Sequence, residues 1–210
     1  MDKPRGGLNQ RIFAWVLARF SPRYEQFAAK YKDRLFAELS GTVLEIGPGT
    51  GVNLRYFRSD RVRWIGVEPN FFMEPYLRQE AARLNLPIDL RIGTAGNLPV
   101  EDGSVDAVIS TLVLCCVPDQ RQSLREIVRA LKPGGRLVFI EHVAAPPGSR
   151  LRRIQNLITP VWKRLGDGCY PNRETWAELE HAGFAHVTYD RITAPIPVVS
   201  PQIAGVAVKG

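Results

Sequence analysis

The chain has 210 residues, 45% apolar and 9% aromatic, with a net charge of +7 at pH 7, the material of one globular domain. No apolar run approaches the ~20 residues that cross a bilayer, and the opening MDKPRGGLNQ lacks the apolar stretch of a secretory signal. Three cysteines, Cys115, Cys116 and Cys169, are odd in number and spaced for neither a disulfide framework nor a zinc motif, so a reduced cytoplasmic setting and no metal are expected.

RIFAWVLARF (11–20) and YEQFAAKYKDRLFAEL (24–39) predict two helices separated by Pro22, the second with Phe27, Tyr31, Leu35 and Leu39 at helical spacing. TVLEIG (42–47) is a short apolar, β-branched run that reads as a buried strand, and NLRYF (53–57) opens a helix after it. RVRWIGVEP (61–69) is a second strand stopped by Pro69, followed by a helix over 72–86 and a third strand over 88–95. VDAVISTLVLCCV (105–117) begins as a fourth strand, QRQSLREIVRALKPGG (120–135) is a helix stopped by Pro133-Gly134-Gly135, and RLVFIEHV (136–143) is a fifth strand. After residue 145 a proline- and arginine-rich stretch leads to a helix over 173–184 and two terminal strands, HVTYDRIT (186–193) and QIAGVAVK (202–209).

This alternation predicts an α/β fold: a Rossmann-like, doubly wound, mostly parallel seven-stranded sheet with an antiparallel terminal hairpin. Residues 1–40 are expected to form a helical lid on a domain spanning 41–210, the two making one globular unit. The charge is uneven. Residues 1–40 carry eight Lys/Arg against four Asp/Glu, and residues 145–175 carry six against two. Such clustering suits anionic small molecules or an acidic membrane surface, touched through the basic N-terminal helix. No aromatic-basic interleaving or binding motif points to nucleic acid.

The most informative motif is VLEIGPGTG (43–51), a strand running into glycines 47, 49 and 51 before a helix. Glycines let the backbone turn tightly and approach a ligand where a Cβ would collide, and in an open parallel sheet that turn lies where ligands bind. Glu68, 23 residues after Glu45 and at the end of the next strand, fits the slot that hydrogen-bonds a ribose diol. The spacing G-P-G-T-G lacks the third glycine of a dinucleotide cradle, which disfavours a nicotinamide dehydrogenase.

E-x-G-x-G-x-G after the first strand resembles the S-adenosylmethionine loop of class I methyltransferases. LPVEDGSVDAVISTLVLCCVPD and LREIVRALKPGGRLVFIEH resemble the fourth- and fifth-strand signatures of that superfamily over residues 42–143. DGSVDAVISTLVLCCV, EHVAA, DGCYPNRETWAELEHAGF and PQIAGVAVK together resemble the thiol S-methyltransferases of the methyltransferase-like-7 family, from about residue 15 to 209. That resemblance implies S-adenosylmethionine as cofactor, with Glu45, Gly47, Gly49 and Gly51 as its loop and Glu68 as the ribose carboxylate. Asn53, Pro69, Ala95, Asn97, Thr111 and Leu112 complete the expected cofactor contacts. Two departures stand out. The long apolar membrane anchor that begins the vertebrate members is reduced here to RIFAWVLARF. The third strand ends in GTAGNLP (93–99) without a carboxylate, leaving adenine to backbone groups and to Asn97 or Thr94.

Methyl transfer from a sulfonium is an in-line displacement that needs alignment, exclusion of water and removal of a proton, not an enzyme nucleophile. The cysteines are therefore expected to line and pack, with Cys116 at the acceptor. His142, just past the fifth strand, is the expected base for a thiol acceptor, and an ordinary histidine satisfied by backbone is the alternative. Asp167 is assigned to the same chemistry, although it equally suits a turn through Asp-Gly. Tyr31, Trp162, Arg173 and Trp176 are the expected substrate contacts. The expected activity is methylation of a small, fairly apolar acceptor, best matched by a thiol or hydrogen sulfide. An amine, a lipid headgroup or a quinol remains as alternative acceptor, and a non-catalytic S-adenosylmethionine-binding protein remains as an alternative of another class.

Overall fold

The computed structural model describes residues 7–210, and residues 1–6 of the expected N-terminal segment lie outside the described residues. Helix α1 (Leu8–Phe36) precedes strand β1 (Gly41–Ile46), followed by β2 (Val62–Val67), α2 (Glu74–Arg83), β3 (Asp89–Arg91), β4 (Val105–Thr111), α3 (Gln120–Ala130) and β5 (Leu131–His142). Helices α4 (Arg150–Leu165) and α5 (Thr175–Glu180) lead to the closing strands β6 (His186–Thr193) and β7 (Pro201–Val208). The sheet order is β3-β2-β1-β4-β5-β7-β6. Neighbours through β5 are parallel, and β7 runs antiparallel to both β5 and β6. This is the Rossmann-like, doubly wound sheet with an antiparallel hairpin that the alternation of elements predicts.

Both faces of the central strands are covered, so their residues are apolar without alternation. On one face Leu44, Ile46, Val108, Leu137 and Phe139 pack against Leu124 and Ile127 of α3. On the other, Val43, Trp64, Ile109 and Val138 pack against Phe36 of α1 and Leu77 of α2. Asp119 caps α3 by accepting from Gln122 N. The topological switch lies between β1 and β4, because β2 and β3 extend to one side of β1 and β4 to β6 lie on the other. A ligand crevice belongs at the carboxyl ends of these strands.

Several expected elements differ in the structure. One continuous helix, α1, runs through Pro22 instead of two. Its second half is fixed by the sheet, with Phe27, Tyr31 and Leu35 packed on Ile140, Ile192 and Ala204, and such packing outweighs the lost hydrogen bond of one proline. Only a single 3₁₀ turn, Leu54–Tyr56, follows the glycine loop. Helix α3 ends at Ala130 and β5 starts at Leu131, with Lys132 to Gly135 absorbed in an irregularity of the β4–β5 register. Helix α4 replaces the irregular stretch expected after residue 145. Ser149 caps it by accepting from Arg152 N, and Pro160 lies within it.

Candidate active site at the carboxyl edge of the sheet

Gly47, Gly49 and Gly51 all have positive φ. A Cβ on Gly47 would stand 2.7 Å from Val113 Cγ2, so the glycine loop packs directly on the segment leaving β4. Gly49 faces open space, with nothing within 4 Å of a Cβ position. Glu68, just past β2, pins this loop: its Oε2 accepts from Gly49 N at 2.9 Å and its Oε1 from Asn70 N at 2.8 Å. Burial pushes the Glu68 carboxyl up to about 7, against the two backbone hydrogen bonds, which pull it down.

Beneath the loop, Glu45 is 2% exposed and accepts from Asn53 Nδ2 at 2.7 Å and Trp64 Nε1 at 2.9 Å. Asn53 Nδ2 also reaches Thr111 Oγ1 at 3.2 Å, tying the ends of β1 and β4 together. Burial raises the Glu45 carboxyl, and those donors oppose it. Asn53 Oδ1 is buried and meets no hydrogen-bond partner among the described residues. Leu112 takes a left-handed conformation, φ 58°, to turn the chain out of β4. Pro69 is exposed beyond β2. Ala95 is buried, while Thr94 and Asn97 are exposed and bridge one another past β3.

The other side of the crevice is built on sulfur. Cys115, Cys116 and Cys169 place their Sγ atoms within 4.8 Å of one another, with Cys115 and Cys116 Sγ at 3.5 Å. His142 Nε2 lies 2.8 Å from Cys169 Sγ, and Trp162 Nε1 donates to the same sulfur at 3.2 Å. Hydrogen bonds from the Cys115 and Cys116 thiols and from His142 hold the Cys169 thiol well below its ordinary range, whereas burial pushes Cys115 up. His142 is 3% exposed, and its Nδ1 meets no partner among the described residues. The sequence separates Cys169 from the pair by more than fifty positions, and only the fold makes them neighbours.

Among the sequence-predicted residues, His142, Cys116 and Trp162 therefore gather around Cys169. Asp167 stands toward the Glu68 side: its Oδ2 accepts from Asn70 Nδ2 at 3.3 Å, and its φ of 47° marks a turn. The remaining three have their main contacts elsewhere. Tyr31 packs on the sheet face. Arg173 donates to the carbonyls of Leu114, Cys115, Val117 and Pro118 and stacks over Tyr170 at 4.0 Å, stapling the cysteine loop. Trp176 packs against the core with the Arg191 guanidinium 4.8 Å above its ring.

Two residues escape the sequence reading. Glu141, fully buried, accepts from Ser110 Oγ at 2.6 Å and from the backbone of Val113, Leu114 and Cys115, so it shapes the cysteine loop. Its signal is a carboxylate inside the apolar run LVFIEH. Ile92, 81% exposed, follows β3 one step past the Val67↔Arg91 pair. Its signal is an apolar residue at the end of a strand of charged neighbours.

A mostly parallel sheet, a glycine loop at its switch point and an acidic residue ending the second strand make a Rossmann-like site for a nucleoside cofactor. The sequence profile of a methyltransferase domain matches residues 44–139. An S-adenosylmethionine-dependent methyltransferase from Aquifex aeolicus shares this fold, with a TM-score of 0.68 at 18% identity, covering 95% of this chain and 98% of that one. The human thiol S-methyltransferase TMT1A is 40% identical, over 95% of this chain and 87% of its own length. Human thiol S-methyltransferase TMT1B is 36% identical, over 96% and 88%. The chain belongs to the thiol S-methyltransferase family, and the cofactor of this methyltransferase is S-adenosylmethionine. The site fits that cofactor: open space over Gly49 admits a ligand, and the buried, unpartnered Asn53 Oδ1 awaits a donor.

Proposed function

We propose that this methyltransferase acts on the sulfur of a small alkyl thiol or of hydrogen sulfide. The observation that carries this reading is a match to thiol S-methyltransferases that spans the acceptor side as well as the cofactor loop, at 40% identity over 95% of the chain. Incubation with S-adenosylmethionine and matched thiol, amine and quinol acceptors tests it.

When bound, S-adenosylmethionine supplies an activated methyl group on a sulfonium centre. In this reading Glu68 receives the ribose hydroxyls on the lone pairs that Gly49 and Asn70 leave free, and Asn53 Oδ1 receives the ammonium. Glu45 acts from below by fixing Asn53, Gly47 and Gly49 let the ligand approach, and Gly51 completes the turn. Ile92, Ala95 and Asn97 form the adenine wall, with Pro69, Thr111 and Leu112 around the remainder.

At the acceptor, an Nε2–H of His142 donates to Cys169 Sγ, and Nδ1 is then a free lone pair for the thiol proton. Cys169 sets the tautomer, and Cys116 and Trp162 form the adjoining wall. Asp167 acts through Asn70 on the Glu68 side. The first half of α1 serves as the lid: Gln10 O accepts from Asn70 Nδ2, and Arg11 and Ala14 face Phe71, Phe72 and Tyr76 across a cleft.

No helix among the described residues is long and apolar enough to cross a membrane. Peripheral attachment to an anionic bilayer is the second part of this proposal. Ile154, Leu157, Val161 and Leu165 form one stripe along α4, and Leu8, Ile12 and Trp15 another on α1, with exposures from 46% to 82%. Arg150, Arg153, Lys163 and Arg164 accompany the α4 stripe, the composition of an interfacial helix.

A further inference from the structure

We propose that Cys115, Cys116 and Cys169 form a three-thiolate site for a thiophilic divalent cation of the zinc class, whose fourth position receives the acceptor thiol. This inference rests on the thiol-acceptor reading above and specifies how the acceptor sulfur is held.

The donor set is the first argument. Three Sγ atoms lie within 4.8 Å of one another, with one pair at 3.5 Å. A tetrahedral ion with metal–sulfur bonds of ~2.3 Å places its sulfur ligands about 3.8 Å apart. The observed separations bracket that spacing. Soft thiolates select ions of this class over magnesium or calcium.

The surroundings are the second. Trp162 Nε1–H at 3.2 Å and His142 Nε2 at 2.8 Å both reach Cys169 Sγ. Such N–H donors are the outer partners that orient metal ligands and offset their charge. The loop carrying the adjacent pair is rigid: Glu141 accepts from the backbone of Val113, Leu114 and Cys115, and Arg173 binds four carbonyls between Leu114 and Pro118. A preformed loop of this kind suits ligation better than loose packing of three small hydrophobes.

Position is the third. Three protein ligands and an open fourth place are the pattern of a working site, whereas a structural site is closed by four. Cys115 and Cys169 are buried and Cys116 is partly exposed, so the cluster opens at Cys116. Val113, two residues before the pair, touches the glycine loop at Gly47, which sets this opening against the cofactor side. The acceptor RS–H passes its proton to His142 Nδ1 and its sulfur to the ion. Its sulfur lone pair then forms the new S–CH₃ bond as the methyl–sulfonium bond breaks, and that bonding pair stays on the sulfur of S-adenosylhomocysteine. The neutral thioether is a weaker ligand and leaves.

The test uses the full chain, purified, reduced and stripped with a chelator. Titration with Cd²⁺ is expected to give one ion per chain with a sulfur-to-cadmium charge-transfer band, in competition with Zn²⁺. Cys116→Ser and Cys169→Ser should each weaken binding at least about a hundredfold, more than the loss of an outer partner does. Trp162→Phe keeps all three thiols and should weaken it about tenfold, a check that does not require removing a cysteine. With Co²⁺ bound and S-adenosylmethionine absent, a short alkyl thiol should change the visible spectrum. Absence of the charge-transfer band, or binding unchanged in Cys169→Ser, overturns the site, and an unchanged cobalt spectrum overturns its open position. A metal-free enzyme that methylates thiols at full rate overturns this inference alone. A loaded enzyme that methylates no thiol overturns the acceptor reading while the ion site stands.

Discussion

Glu68 Oε2 accepts from Gly49 N at 2.9 Å, so the carboxylate that ends β2 also holds the glycine loop that ends β1. Its carboxyl is pushed up to about 7, chiefly by burial. A raised acid favours the folded state below its ordinary value near 4.5, and that contribution is lost as pH rises through 7. In the proposed role the ribose hydroxyls donate to the ionised form, and cofactor binding then releases a proton. Affinity for S-adenosylhomocysteine should rise by up to tenfold per unit between about pH 6 and 7 and level off above 8. Calorimetry across this range checks it. Glu68→Gln should lose the pH dependence and roughly ten- to hundredfold in affinity, the worth of a charge-assisted hydrogen bond. A flat wild-type profile would remove Glu68 from the ribose role.

The glycine loop and its tie to Glu68 are legible because they are local. VLEIGPGTG and VEP lie within 27 positions of one another, and each residue type answers a backbone or hydrogen-bonding need that spacing reveals. The side that holds His142 and the cysteines is assembled from β4, β5 and the segment after α4. Neither the meeting of His142 with Cys169 nor the orphaned Nδ1 has a sequence signal. Arg173 and Trp176 show the reverse difficulty: a residue type that suits a substrate also suits a loop staple or a core wall. Helix α4 escapes notice because its apolar stripe, from Ile154 to Leu165, is interrupted by Pro160 and crowded with arginine.

Gly49→Val should abolish cofactor binding while leaving the fold. The position has φ +57° and open space where a Cβ would stand, so a branched side chain occupies the ligand's room and strains the turn by about 1–3 kcal/mol. Thermal unfolding with and without S-adenosylhomocysteine measures both effects. A variant that is still stabilised by the ligand would show that the loop does not approach it.

His142→Ala should lower turnover of a thiol by 10²–10⁴-fold near neutral pH, with cofactor affinity unchanged. The defect should shrink once pH passes the acceptor's own pKa, since preformed thiolate needs no proton acceptor. A pH-independent defect with weakened cofactor binding would mark the residue as structural.

Leu157 and Val161 are 82% and 62% exposed on α4. Leu157→Ser with Val161→Ser should release the protein from vesicles containing phosphatidylserine and leave turnover of a soluble thiol unchanged. Co-sedimentation at low and physiological salt checks this, because the basic residues of α4 add a screened attraction of about 1 kcal/mol each. Equal sedimentation of the variant and the wild type would place the contact elsewhere.

One assay identifies the acceptor directly. Purified enzyme is incubated with S-adenosylmethionine labelled in its methyl group and, in parallel, with an alkyl thiol, hydrogen sulfide, a primary amine and a hydroquinone of similar size. Label should appear in the methyl thioether and in methanethiol, with equimolar S-adenosylhomocysteine, and neither the amine nor the hydroquinone should gain label. Label on nitrogen or oxygen with the thiols untouched would contradict the account.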